Sequence, residues 1–142
     1  MRPIEILLVE DNLGDIRLTL DAFKDARVAN VIHVVKDGAA AMSYLLQTGD
    51  YVDAVRPDIV LLDLNLPKKN GREVLQEIKT NEQLKRIPVV ILTTSEAEED
   101  IDMAYGQHAN CFIRKPVDFH AFMEIIKQIE TFWLTIVRLP HV

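Results

Sequence analysis

The chain has 142 residues, 49% of them hydrophobic, and carries 22 acidic against 16 Lys and Arg side chains for a formal charge of −6. That length supports one substantial core and falls short of two ordinary domains with a linker. The negative balance, with no run of Lys or Arg, argues against a general electrostatic grip on nucleic acid or an anionic membrane, and no apolar run approaches the roughly 18–20 residues of a membrane span.

From Met1 the chain passes directly into the apolar run Ile4–Val9, without the basic region, long apolar stretch and cleavage site of a secretory signal. Cys111 stands alone and makes no internal disulfide, so a reducing cytoplasm is the expected location. Four more strand-length β-branched runs follow, at Val31–Val35, Ile59–Leu62, Val89–Leu92 and Cys111–Ile113. Between and after them lie helix-length segments with one apolar face each. In order these faces carry Ile16, Leu20 and Phe23; Ala41 and Leu45; Val74, Leu75 and Ile78; Ile101, Ala104 and Tyr105; and Phe119, Phe122, Ile126, Ile129 and Trp133. Gly38, Gly71 and Gly106 sit near helix ends, and Asp118 is placed to cap the last helix. Strict alternation of this kind predicts an α/β fold: a parallel sheet buried on both faces by crossover helices.

In such sheets ligands gather at the carboxyl ends of the strands. There the first strand ends in Glu10 and Asp11, and the third ends in Asp63. Glu10 or Asp11 alone reads most simply as a helix cap or first-turn charge. Together they repel and raise one another's pKa unless positive charge sits among them. Mg²⁺, held by one or two carboxylates with a backbone carbonyl and waters, suits the group. The fourth strand ends in Thr93, Thr94 and Ser95, and the fifth is followed by Lys115 and Pro116. A carboxylate that can attack phosphorus, a lysine and a metal that neutralise the transferred oxygens, and a hydroxyl to bond one of them make a phosphoryl-transfer set.

The blocks LLVEDN at 7–12, DIVLLDLNLPKKNG at 58–71, PVVILTTS at 88–95 and CFIRKPVD at 111–118 resemble the receiver domain of two-component response regulators over nearly the whole chain. The resemblance implies a three-layer, doubly wound, flavodoxin-like sheet of order 2-1-3-4-5. It also implies Asp63 as phosphoacceptor, Glu10 and Asp11 as the acidic metal pair, and the Asn65 carbonyl as a further Mg²⁺ ligand. Thr93 matches the switch hydroxyl, Thr94 lies beside the phosphate pocket, and Lys115 matches the phosphate-pairing lysine, followed by a cis peptide to Pro116. Phe112 matches the aromatic switch position, where Tyr is frequent; it lacks the Tyr hydroxyl through which an output contact would be made, and a plain half-buried strand aromatic is the alternative reading. Asn65 and Ser95 fall where the family tunes dephosphorylation. EDNLGDIRLTLDAF at 10–23 and NLPKKNG at 65–71 look most like small stand-alone regulators served by phytochrome-type sensor kinases.

The resemblance thus implies a single receiver domain over 1–142, not a metabolic enzyme: a histidine kinase supplies phosphorus to Asp63, and the surface of the fourth helix, fifth strand and fifth helix changes to engage a downstream protein. The end of the chain, TFWLTIVRLPHV at 131–142, carries more apolar residues than one buried stripe needs. Ile125, Phe132, Trp133, Ile136 and Leu139 are therefore expected to form a homodimer or partner surface, with a tail folded back on its own domain as the alternative. A haloacid-dehalogenase-type phosphatase would want an aspartate where Asn65 stands, and a nucleotide or flavin protein a glycine-rich loop in place of Glu10, Asp11 and Asn12. A receiver-like scaffold that works without phosphorylation remains the non-catalytic alternative.

Overall fold

The structure, a computed structural model, describes residues 2–26, 28–94, 97–136 and 138–140, without the side chains of Thr135 and Ile136. Strand β1 (Ile4–Val9) leads to helix α1 (Leu13–Lys24), β2 (Asn30–Val35), α2 (Gly38–Leu46), a 3₁₀ turn (Gly49–Tyr51) and β3 (Ile59–Leu62). Then come α3 (Gly71–Thr80), β4 (Val89–Thr93), α4 (Glu98–Gly106), β5 (Cys111–Arg114) and α5 (Phe119–Ile129), which continues as a π-helical stretch, Glu130–Ile136. All strand pairs are parallel, as the alternation predicts, and the order is β2-β1-β3-β4-β5, as the family resemblance implies.

Because side chains alternate across a strand, each strand feeds two cores. Leu7, Val9, Val60, Leu62, Val89 and Ile91 pack under α2, α3 and α4 with Leu45, Val74, Leu75, Ile78 and Ala104. Ile6, Leu8, Ile59, Leu61, Val90 and Leu92 pack under α1 and α5 with Ile16, Phe23, Phe122, Ile126 and Ile129. The result is three layers. Asn12, Asp37, Asn70 and Asp118 cap α1, α2, α3 and α5, each accepting from backbone N–H groups of the first turn.

Three residues expected on buried faces lie outside. On α1 the buried stripe runs Ile16, Thr19, Phe23, with the Thr19 hydroxyl donating to the Asp15 carbonyl at 2.8 Å, and Leu20 sits at its exposed margin. Tyr105 stays at the surface because its hydroxyl accepts from the Phe112 N–H at 3.2 Å. Phe119, the first residue of α5, projects beyond the sheet and meets the His120 ring edge-on. The tail turns back in part: Leu134 is buried in the α1/α5 core, Trp133 packs beside it, and Pro140 lines a small cleft with Arg56 and Ile87. Among the described residues, no helix is long and apolar enough to cross a membrane.

Candidate functional site

Strand order converts chain-distant residues into neighbours. With Val9 opposite Leu62 in the β1–β3 register, Glu10 and Asp63 leave adjacent strands side by side, and the Asp63 N–H donates to the Val9 carbonyl at 3.1 Å. The cap of α1 is Asn12, whose side chain accepts from the Asp15 N–H at 2.9 Å. Neither Glu10 nor Asp11 is therefore consumed in starting that helix. Glu10, Asp11 and Asp63 offer ligand oxygens that all lie within 4.8 Å of one another.

Lys115 reaches into this group from the end of β5. The residue is only 4% exposed, and its ammonium donates to Glu10 Oε1, to Asp15 Oδ2 at 2.9 Å and to Asp63 Oδ2 at 3.0 Å. Burial pulls its pKa down, but the hydrogen bond and charge of Glu10, with Asp63 and Asp15, outweigh burial and leave it raised. Burial pushes Glu10 up to about 7; Lys115 opposes that shift, the Asp63 charge adds to it, and the Asn12 N–H bond opposes it. The second Glu10 oxygen accepts from the N–H groups of Asp11 and Asn12 at 3.1 and 3.2 Å. With Asp11 and Asp15 counted, four carboxylates surround one ammonium, so the cluster is short of positive charge. Hard oxygen donors gathered on that scale fit a divalent cation.

The opposite wall is polar and uncharged. The Asn65 N–H donates to Asp63 Oδ1 at 3.0 Å, and its side-chain amide lies 3.4 Å from the hydroxyls of both Thr93 and Thr94. Thr93 is fully buried, whereas Thr94 and Asn65 open to solvent. Beneath the site, Gly71 begins α3 against the strand end: a Cβ there would stand 2.2 Å from the Asp63 carbonyl oxygen. Gly38 begins α2 the same way, with a Cβ position 1.8 Å from the Lys69 carbonyl oxygen. Only glycine lets both helices grip the loop between Asp63 and Gly71.

The structure thus assembles Glu10, Asp11, Asp63, Asn65, Thr93, Thr94 and Lys115 at one sheet edge. Ser95 lies outside the described residues. Phe112 is half-buried on β5 against the α2–α4 core. The Lys115–Pro116 peptide, expected cis, is trans. The two isomers of an X–Pro bond differ by only about 0.5–1 kcal/mol, and the Lys115 N–H, bonded to the Thr93 carbonyl at 2.6 Å, holds this corner. Of the expected interface residues, Ile125 and Trp133 line an open apolar groove of about 860 Å³ beside β5, with Phe132 exposed at its rim. Leu139 is half-buried, and the Ile136 side chain lies outside the described residues. Asp15 also belongs to the site, although it does not stand out in the sequence. The signal available for it was an acid four residues after Asp11, in the first turn of a helix that follows an acidic strand end.

A five-stranded parallel sheet in this order, with an acidic cluster and a lysine at its carboxyl edge, defines a receiver domain. Residues 6–127 match the response regulator receiver domain family, and the chain belongs to it. Among its relatives is response regulator Rcp1 of Synechocystis sp., 48% identical over 138 residues that span 97% of this chain and 94% of Rcp1. The crystal structure of the Mn²⁺-bound form of Rcp1 superposes with a TM-score of 0.97 at 47% identity, covering 98% of this chain and 100% of that one. The phosphorylated cyanobacterial phytochrome response regulator RcpA follows with a TM-score of 0.96 at 51% identity, covering 99% and 100%. The likeness to phytochrome response regulators that the sequence implied is thereby borne out.

Proposed function

We propose that this chain is a cytoplasmic single-domain response regulator that takes a phosphoryl group onto Asp63 from a sensor histidine kinase of the phytochrome type. The observation that carries the reading is the convergence of Lys115 and two further carboxylates, Glu10 and Asp11, on a buried, strand-end aspartate. An oxygen of the Asp63 carboxylate attacks phosphorus, the bond from phosphorus to the donor histidine nitrogen breaks, and the imidazole leaves with the electron pair and takes up a proton. The product is an acyl phosphate. Lys115 donates to a phosphoryl oxygen, and the Thr93 hydroxyl, with Thr94 beside it, hydrogen-bonds another.

Glu10, Asp11, Asp63 and the Asn65 carbonyl would hold Mg²⁺, which supplies positive charge between an anionic donor and an anionic acceptor. The Mn²⁺-bound form of Rcp1 and the phosphorylated form of RcpA support both parts of the reading. Drawing Thr93 toward the phosphoryl group vacates space beside Phe112 and alters the surface of α4, β5 and α5, which a downstream protein reads. The apolar rim around Ile125, Phe132 and Trp133 supports self-association on the same side of the molecule.

Incubation with Mg²⁺ and acetyl phosphate, followed by intact mass spectrometry, tests the core of this. One acid-stable, base-labile phosphoryl addition is expected on the native chain and none on Asp63→Asn. No addition from acetyl phosphate or from sensor kinases would favour the phosphorylation-independent scaffold instead.

A further inference from the structure

Lys115 has three N–H donors, and three carboxylates occupy them: Glu10, Asp15 and Asp63. A phosphoryl group on Asp63 needs one of those donors, so one existing partner must let go. The three differ in what release would cost. Glu10 is buried, its other oxygen is pinned by two backbone N–H groups, and losing the ammonium would leave its charge uncompensated. Asp63 is the acceptor itself. Asp15 sits on the first turn of α1 with its side chain 24% exposed, and water can replace the ammonium there at small cost.

We infer that Asp15 is a positioning residue: it holds Lys115 in the unphosphorylated protein and is the partner the lysine exchanges for the phosphoryl group. The inference rests on Asp63 being the phosphoacceptor. On phosphorylation the Lys115–Asp15 ion pair opens, its N–H turns to a phosphoryl oxygen, and the Asp15 carboxylate is hydrated. Asp15 thereby sets a threshold for phosphorylation. Removing its side chain leaves Lys115 with a free donor already facing the transferring group, and removing its charge alone leaves only a weaker, neutral acceptor to displace.

The test is the rate of Asp63 phosphorylation by acetyl phosphate with Mg²⁺, followed by intact mass, for the native chain, Asp15→Asn and Asp15→Ala, at low ionic strength and again at high. Both variants are expected to react about three- to tenfold faster, the scale of one partly exposed charge-assisted hydrogen bond. The gain should persist at high salt, because a contact at 2.9 Å is screened far less than the through-space repulsion of an incoming anion. Unchanged or slower variants, or a gain abolished by salt, would overturn the role of Asp15 while the native chain still reacts. A native chain that takes no phosphoryl group would overturn the Asp63 reading, and this inference with it. Two substitutions of different shape guard against a folding defect in either one.

Discussion

Tyr44 and Lys115 show how one residue's surroundings decide what its polar end does. The Tyr44 ring is buried between His33 and Tyr51, with centroids 5.6 and 5.5 Å away, and its hydroxyl donates to the Val55 carbonyl at 3.0 Å. Burial, with the Glu5 charge in support, pushes its pKa up to about 12. An acid whose folded pKa is raised contributes stability that is intact below its unfolded pKa, about 10, and lost as pH climbs from there through the folded value. Stability should therefore fall between about pH 10 and 12, and Tyr44→Phe should flatten that limb of a urea-denaturation series taken against pH. A slope identical in the variant would show that Tyr44 does not cause it. Lys115 follows the opposite logic: burial pulls its pKa down, and its carboxylate partners more than reverse that.

At the scale of elements, the site is a set of strand ends held in register by helix starts. Asn70 caps α3, and Gly71 behind it touches the backbone of Asp63 and Leu64. Gly71→Ala must push that backbone away and should cost about 1–3 kcal/mol, read as a lower denaturation midpoint together with slower phosphorylation of Asp63. Gly106, at the end of α4, has open space where a Cβ would stand. Gly106→Ala should leave phosphorylation unchanged and add about 0.4–1 kcal/mol by restricting the unfolded chain. Equal behaviour of the two variants would remove the close approach at Gly71 as the cause. Helix α4 is tied to α3 by Arg72, whose guanidinium grips both Asp100 carboxylate oxygens at 2.8 and 2.7 Å. That bidentate pair joins the start of α3, which packs behind Asp63, to the first turn of α4.

Across the whole molecule, the apolar groove beside β5 is one surface left without a cover among the described residues. Leu134 has turned inward, which reduces the tail's share of any interface, while Phe132 remains 49% exposed next to Ile125. If copies of the chain meet there, Phe132→Asp should yield a monomer mass in light scattering at concentrations where the native chain forms a dimer, with phosphorylation of Asp63 intact. A native chain that stays monomeric at every concentration, phosphorylated or not, would remove the dimer.

The alternation of strands and helices, the sheet order implied by the family resemblance and the group Glu10, Asp11, Asp63, Thr93 and Lys115 were legible in the sequence. Local periodicity and strand-end chemistry repeat with fixed spacing, and a doubly wound sheet sends every such end to one edge. Asp15 was not legible, because its partner lies one hundred residues away in the chain and only the packing of α1 beside α5 on one face of the sheet brings them together. Nor were the surface positions of Leu20, Tyr105 and Phe119, since a helical stripe defines a face but its neighbours decide how much of that face is covered. The return of Leu134 to the core and the trans peptide at Pro116 belong to the same class. Each is a choice between local states of similar energy, and packing against residues distant in sequence makes that choice.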